Sequence, residues 1–256
     1  MKKILKKIPI IKRVYPSLMK IFYKNKKIKF KFFGLNFEGD FNEPMDKEIF
    51  LFNAYENFQI KFLIDNIKKY NSKYFIDIGA NSGIYSLIVR DRFHKIKIKS
   101  FEPIKKTVAK FKNNLIFNKK LKNIKLYEFG LSNKNSRLLM KTKIRDGYIQ
   151  SGGYGVVKKR DNLKNLHLEN NIFKIGDNII KLKNKNISIK IDTEGHELEV
   201  LQGLKKLLNY NRIFLQIEIF DKNFDKTNKY LKKQKFKFLN SIFSDGKTDY
   251  YYKNFK

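Results

Sequence analysis

This chain predicts an α/β fold on a mostly parallel sheet, and three observations carry that prediction. From residue 74 onward, short apolar runs alternate with stretches of helical periodicity. The segment FIDIGANSGIYS, Phe75 to Ser86, compresses a buried strand, a tight glycine turn and a helix start into one unit. Carboxylates close four of the apolar runs, Asp77, Glu102, Asp192 and Glu218, and strand ends are where ligands of open α/β sheets gather.

The first 30 residues set Met1, Ile4, Leu5, Ile8, Ile11 and Val14 near helical spacing among lysines. Such a basic amphipathic segment suits peripheral contact with an acidic membrane surface and equally suits packing on the domain. Pro9 and Pro16 should interrupt a long helix, and no apolar run is long enough for a signal-peptide core or a membrane span. KIKFKFFGLNFEGD alternates around Gly34 and reads as a small hairpin, so a lead segment over 1–45 precedes a domain over 46–256.

In the domain, Tyr55, Phe58, Phe62, Leu63, Ile67 and Tyr70 form one helical stripe, with Glu56 near the ligand edge of the sheet. A strand over 74–78, a helix over 84–93, a strand over 96–101, a helix over 104–118 and a strand over 124–129 follow. Asn81 or Ser82 is placed to cap the first of these helices. Ile104, Val108, Phe111 and Leu115 mark the inner face of the second. An irregular insert over 136–177 contains SGGYG, where Tyr154 in a flexible loop suits stacking on a sugar face or forms a plain surface turn. Asp177 reads as the cap of a short helix over 179–182. A strand over 187–192, one helix with the stripe Val200, Leu201, Leu204, Leu207 and Leu208, and a strand over 213–220 lead to two last strands joined through Asp245 and Gly246. The sum is a seven-stranded sheet ending in an antiparallel hairpin.

Composition bounds the function. The chain has 256 residues and no cysteine, which excludes disulfides, thiolate metal sites and cysteine nucleophiles and suits a reducing cytoplasm. Lys plus Arg number 57 against 24 Asp plus Glu, a formal charge of +33 that points to an anionic partner such as nucleic acid or membrane. The excess is nearly all Lys and is accompanied by Asn, Ile, Phe and Tyr throughout, so drift in composition explains it as well.

The loop GANSG lacks the GxGxxG spacing that seats a pyrophosphate on a helix terminus, which favours a cofactor without phosphate. S-adenosylmethionine fits: Glu102, about 20 residues past the turn, is placed for ribose hydroxyls, and the backbone from Gly79 to Gly83 for the amino-acid moiety.

At these residues the sequence resembles the FkbM family of S-adenosylmethionine-dependent methyltransferases, over about Tyr55 to Glu218. FIDIGANSGIYS, SFEP at Ser100 to Pro103, GLS at Gly130 to Ser132 and KIDTEGHELEVLQGL at Lys190 to Leu204 carry the resemblance. It implies a Rossmann-like class I methyltransferase fold with helices on both faces of the sheet. It also implies that Asp77, Gly79, Asn81 and Gly83 form the cofactor loop, that Glu102 holds the ribose, and that Gly130 and Leu131 border the adenine.

The family's activity implies methylation of a hydroxyl on a sugar, polysaccharide or related small-molecule acceptor; the absence of cysteine and the basic lead segment suit work in the cytoplasm, at the inner face of a membrane where glycan precursors are built. An alcohol must lose its proton as the methyl group moves, so Asp192, Glu194 and His196 on the turn after a central strand are the candidate catalytic residues, with His196 as base and Glu194 or Asp192 orienting it. In the alternative, Asp192 or Thr193 caps the helix and Glu194 and Glu197 favour its first turn. A divalent metal across Asp192, Glu194 and His196 has weak support, and none is expected; His94 and His167 are assigned nothing. An RNA-directed enzyme or RNA-binding module rests on the charge alone, since interleaved Arg and aromatic platforms are missing.

Overall fold

The computed structural model describes residues 8–159, 161–244 and 246–256. Met1, Ile4, Leu5 and Asp245 therefore lie outside the described residues. The elements run α1 (Pro9–Tyr23), the hairpin β1 (Lys27–Phe32) and β2 (Leu35–Asp40), α2 (Pro44–Phe52), α3 (Asn57–Lys69), β3 (Tyr74–Ile78), α4 (Ile84–Arg92), β4 (Lys97–Phe101), α5 (Lys105–Phe117) and β5 (Ile124–Tyr127). Then come β6 (Gly130–Ser132), β7 (Ser136–Arg145), β8 (Tyr148–Ile149), β9 (Gly155–Val156), β10 (Leu166–Ile175) and α6 (Gly176–Ile179). The chain ends with β11 (Asn186–Ile191), α7 (Glu197–Gly203), α8 (Lys205–Tyr210), β12 (Arg212–Glu218), α9 (Asp221–Lys233), β13 (Lys237–Ser244) and β14 (Lys247–Lys253). Among the described residues no helix is long and apolar enough to cross a membrane.

The central sheet has the order β13-β14-β12-β11-β3-β4-β5. Its neighbours from β12 to β5 are parallel, and the β13–β14 hairpin adds on antiparallel to β12. Alternation along each strand splits the core into two layers. Ile76, Ile189 and Leu215 face Val200, Leu201, Leu204, Leu207 and Leu208, while Phe75, Ile98 and Phe214 face Leu63, Leu87 and Phe111. The chain leaves β3 toward β4 and β5 and returns on the other side of β3 with β11 and β12. The carboxyl ends of β3 and β11 are thus the switch point where a crevice opens.

Several local expectations change. Helix α1 runs through Pro16 and has Pro9 in its first turn, where a missing N–H costs nothing. The stripe of α3 is displaced, because the helix begins only at Asn57: Phe58 is 76% exposed and Ile60, Leu63 and Ile67 take the core side. The single helix expected over Val200 to Leu208 is two. A Cβ on Gly203 would lie 2.0 Å from the Ser132 carbonyl oxygen, and Asp177 accepts the backbone N–H groups of Lys206 and Leu207, capping α8 rather than its own short helix.

The insert is not irregular. β7 and β10 pair antiparallel along their length, β6 joins β10 in parallel, and β8 and β9 pair with β7, so a second sheet of five strands stands beside the first. β6 is buried but only three residues long, and the two long strands bury only Met140 and Thr142 from β7 and Asn171 and Phe173 from β10, which is why no apolar alternation announced them.

Candidate functional site

A cleft of about 500 Å³ lies at the switch point. Gly79 ends β3 with φ +78°, and a Cβ there would come within 1.7 Å of the Asp192 carbonyl oxygen, so glycine alone lets the loop after β3 lie against the turn after β11. Asn81 follows with φ +49°. Its N–H donates to Glu102 Oε2 at 2.9 Å, and the Ile104 N–H donates to Oε1 at 2.9 Å. Glu102 is thereby aimed into the cleft with both oxygens anchored and one acceptor position still open on each. Burial pushes its pKa up to about 7, against the pull of those two N–H groups. Gly130 and Leu131 form the facing wall, where Gly130 leaves room for the Phe173 ring, 2.3 Å from where a Cβ would stand.

Two expected cofactor residues lie elsewhere. Asp77 is 1% exposed beneath the loop and takes a hydrogen bond from Ser86 Oγ at 2.6 Å; Ser86 also bonds Ser100 at 2.7 Å. Burial raises its pKa, and its work is to tie α4 to β3. Gly83 faces the ring of Phe111 and occupies the N-cap of α4 with φ +84°, so neither Asn81 nor Ser82 caps that helix with its side chain. Neither Asp77 nor Gly83 lines the cleft.

The other end is built of charge. Lys190 Nζ, buried in β11, donates to Asp192 Oδ2 at 2.9 Å, and Lys247 Nζ from the C-terminal hairpin reaches Glu194 Oε1 at 3.0 Å and Glu218 Oε1 at 2.8 Å. Burial would raise Asp192, yet Lys190 and Lys247 hold it below the ordinary carboxylate range. Burial and the Asp192 charge instead push Glu218 up to about 9 and raise Glu194. The carboxylates whose oxygens approach within 4.8 Å are Glu56, Asp192 and Glu218, not the set of Asp192, Glu194 and His196, and Lys190 and Lys247 supply the countercharge. Glu56 and Glu194, like Asn81, hold left-handed backbone at the cleft, φ +43° and +52°.

His196 lines the same cleft at 7% exposure. Its orienting partner is neither Asp192 nor Glu194: Nε2 shares a hydrogen bond with Ser132 Oγ at 2.9 Å, Nδ1 lies 3.7 Å from Glu199, and the ring meets Phe173 edge-on. Burial, with help from Lys158 and against Glu199, lowers its pKa, leaving a neutral imidazole at pH 7. The turn is capped by Glu197, whose Oε1 accepts from Gly195 N, Thr193 N and Thr193 Oγ1; Asp192 and Thr193 do not cap α7.

The SGGYG loop is pinned rather than flexible. Glu43 accepts the Ser151 N–H at 2.6 Å, and Thr107 and Thr142 donate to the Ser151 and Gly152 carbonyls. Gly152 comes close to Asn81 and Gly155 to Glu194, so the loop crosses the cleft from one end to the other. Tyr154 is buried with Ile104, Met140 and Phe173 as an apolar wall. Lys190, Lys247, Ser132 and Glu43 were not anticipated. Lys190 had a signal, since it stands two residues before Asp192, which follows the end of β11 at the spacing that keeps side chains on one face; Lys247 had none in a lysine-rich chain.

The Methyltransferase FkbM domain model matches residues 77–238. Methyltransferase sdnD of Sordaria araneosa is 28% identical over 183 residues, 62% of this chain and 67% of that protein. Similar solved structures include TYW2 of M. jannaschii in complex with AdoMet, at 12% identity over 90% of this chain and 87% of that one with a TM-score of 0.47. Another is magnesium protoporphyrin IX methyltransferase of Synechocystis PCC 6803 with bound SAM, at 8% identity over 77% and 76% with a TM-score of 0.46. The matched span covers most of the chain and runs from the glycine loop into the C-terminal hairpin, taking in Glu102, the turn of Asp192 to His196 and Glu218; the chain belongs to the FkbM family of S-adenosylmethionine-dependent methyltransferases.

Proposed function

We propose that the chain transfers the methyl group to a hydroxyl oxygen of a sugar or glycan acceptor. S-adenosylmethionine supplies an electrophilic methyl on its sulfonium when bound, and Glu102, Gly79, Asn81, Gly130 and Leu131 are the residues that would hold it. The observation that carries the acceptor class is the chemistry of the opposite end. Glu194 and Glu218, with Lys247 between them, offer hydrogen-bonding groups suited to hydroxyls, while Tyr154, at 7% exposure, presents no free ring for a nucleobase to stack on.

Proton removal falls to His196. With Nε2–H donating to Ser132 Oγ, the neutral ring keeps its lone pair on Nδ1, and Glu199 beside that nitrogen stabilises the imidazolium that forms. Asp192, held ionised by Lys190 and Lys247, fixes the charge of the turn rather than taking the proton. Labelled-methyl transfer to a panel of saccharides and to RNA tests this reading. An alkali-stable methyl ether on a saccharide is expected, with turnover falling about 100-fold in His196→Gln while S-adenosylhomocysteine binding is retained. Label on RNA alone, or full turnover in the variant, overturns it.

A further inference from the structure

Helix α1 has two apolar faces, and the fold uses one. Tyr15, Met19 and Tyr23 pack on the cluster of Ile28, Phe41, Leu51 and Phe52, with Tyr23 stacked on Phe41 at 5.6 Å and Tyr15 edge-on to Phe52 at 6.0 Å. On the other side Ile10, Val14, Leu18 and Ile21 are 75%, 47%, 53% and 76% exposed. At the helical repeat these four fall within an arc of roughly 80°, with the exposed Phe22 at its edge. A lone exposed aliphatic is ordinary, whereas a row along three turns of one helix is a patch.

The charge around the row selects its occupant. Residues 1–24 contain eight Lys or Arg and no Asp or Glu, and Arg13, Lys20 and Lys24 follow one flank of the aliphatic arc. A second copy of the helix would set like charges against each other, whereas an anionic bilayer receives the aliphatic row among its acyl chains and the cations at its headgroups. We propose that α1 is an interfacial anchor that docks this chain on an anionic lipid surface through Ile10, Val14, Leu18, Ile21 and Phe22. Helix α1 is also tied to the cleft: Lys20 pairs with Asp146 at 2.6 Å, next to Arg145, which lines the cleft wall. The anchor holds that wall close to the bilayer whatever the acceptor is.

The test is co-sedimentation of the full chain with vesicles of mixed phosphatidylcholine and phosphatidylglycerol, and of phosphatidylcholine alone, beside the double variant Ile10→Glu, Leu18→Glu. Both positions are exposed, and unchanged S-adenosylhomocysteine binding checks that the variant is folded. Binding to the anionic vesicles, weak binding to the neutral ones and at least about a tenfold loss in the variant are expected. No binding to anionic vesicles overturns the proposal. So does equal binding by the variant, which would assign it to the overall charge, and so does a vesicle-free dimer that the variant dissociates.

Discussion

At its glycine-loop end the cleft is made of backbone: Gly79 touches the Asp192 carbonyl, and the N–H groups of Asn81 and Ile104 hold one carboxylate. At its other end it is made of side-chain charge, with Lys190 and Lys247 balancing Asp192, Glu194 and Glu218 from three separate strands and a turn. Backbone contacts of the first kind tolerate almost no substitution, because a single Cβ meets a carbonyl that cannot move without the sheet. A charge network of the second kind relaxes by moving protons, so its members trade against one another.

That contrast breaks most readily at Gly79. Gly79→Ala sets a methyl 1.7 Å from the Asp192 oxygen on a backbone at φ +78°. A destabilisation of more than about 2 kcal/mol, with cofactor binding lost, is expected from denaturation and calorimetry; a stable variant that binds normally would mean the two loops are not locked together.

Glu102→Gln comes next. At pH 8, calorimetric titration with S-adenosylhomocysteine should show roughly a 10- to 100-fold weaker affinity for the loss of a charged acceptor. The pH dependence has a definite sign. The folded pKa of about 7 lies above the ordinary 4.5, so the folded chain holds an extra proton between those values. This group's contribution to stability therefore falls as pH rises from about 4.5 to about 7 and is level above that, by roughly 3 kcal/mol in all. Glu218 and Asp249, raised to about 9 and about 7, add slopes of the same sign, so thermal melts across that range should show a shallower fall in the variant than in the wild type.

What could be read from the sequence follows the same division. FIDIGANSGIYS announced a strand, turn and helix because each is a local event, and Glu102 could be placed from its strand end alone. Lys247 and Ser132 could not, since each enters the site by pairing that brings distant segments together: β14 against β12, and β6 against β10. The second sheet escaped for a related reason. Its strands have few buried positions, so their alternation carried no hydrophobic signal. Asp77 differs in the opposite sense: a carboxylate at a strand end reads as a ligand, but it lies beneath the loop and is bonded by Ser86, whose hydroxyl Ser100 also meets.

In the charged end, Lys247→Met removes the cation between Glu194 and Glu218. Its side chain is 41% exposed and both carboxyls relieve the change by binding protons, so the expected destabilisation is about 1–2 kcal/mol, below the range for a fully buried pair. Urea titrations should show the larger loss at pH 8 than at pH 6, because the stranded carboxyls are then driven to ionise; an equal loss at both would remove them from the account.

The smallest effect is also the most discriminating. Ser132→Ala deletes one neutral hydrogen bond to His196 Nε2, worth about 0.5–1.5 kcal/mol, and should slow turnover roughly three- to tenfold without changing the affinity for the cofactor. Its value lies in the direction in which the acidic limb of the pH–rate profile moves. If Nε2–H donates to Ser132, the hydroxyl stabilises the imidazolium more than the neutral ring, and its removal lowers the pKa further, so the limb shifts to lower pH. If the hydroxyl instead donates to Nε2, it stabilises the neutral ring, and the limb shifts up. A downward shift is expected. An upward shift would put the lone pair on the nitrogen that faces the strand, and the proton of the acceptor would then need another base, with Glu194, a cleft-lining carboxyl on the same turn, the candidate.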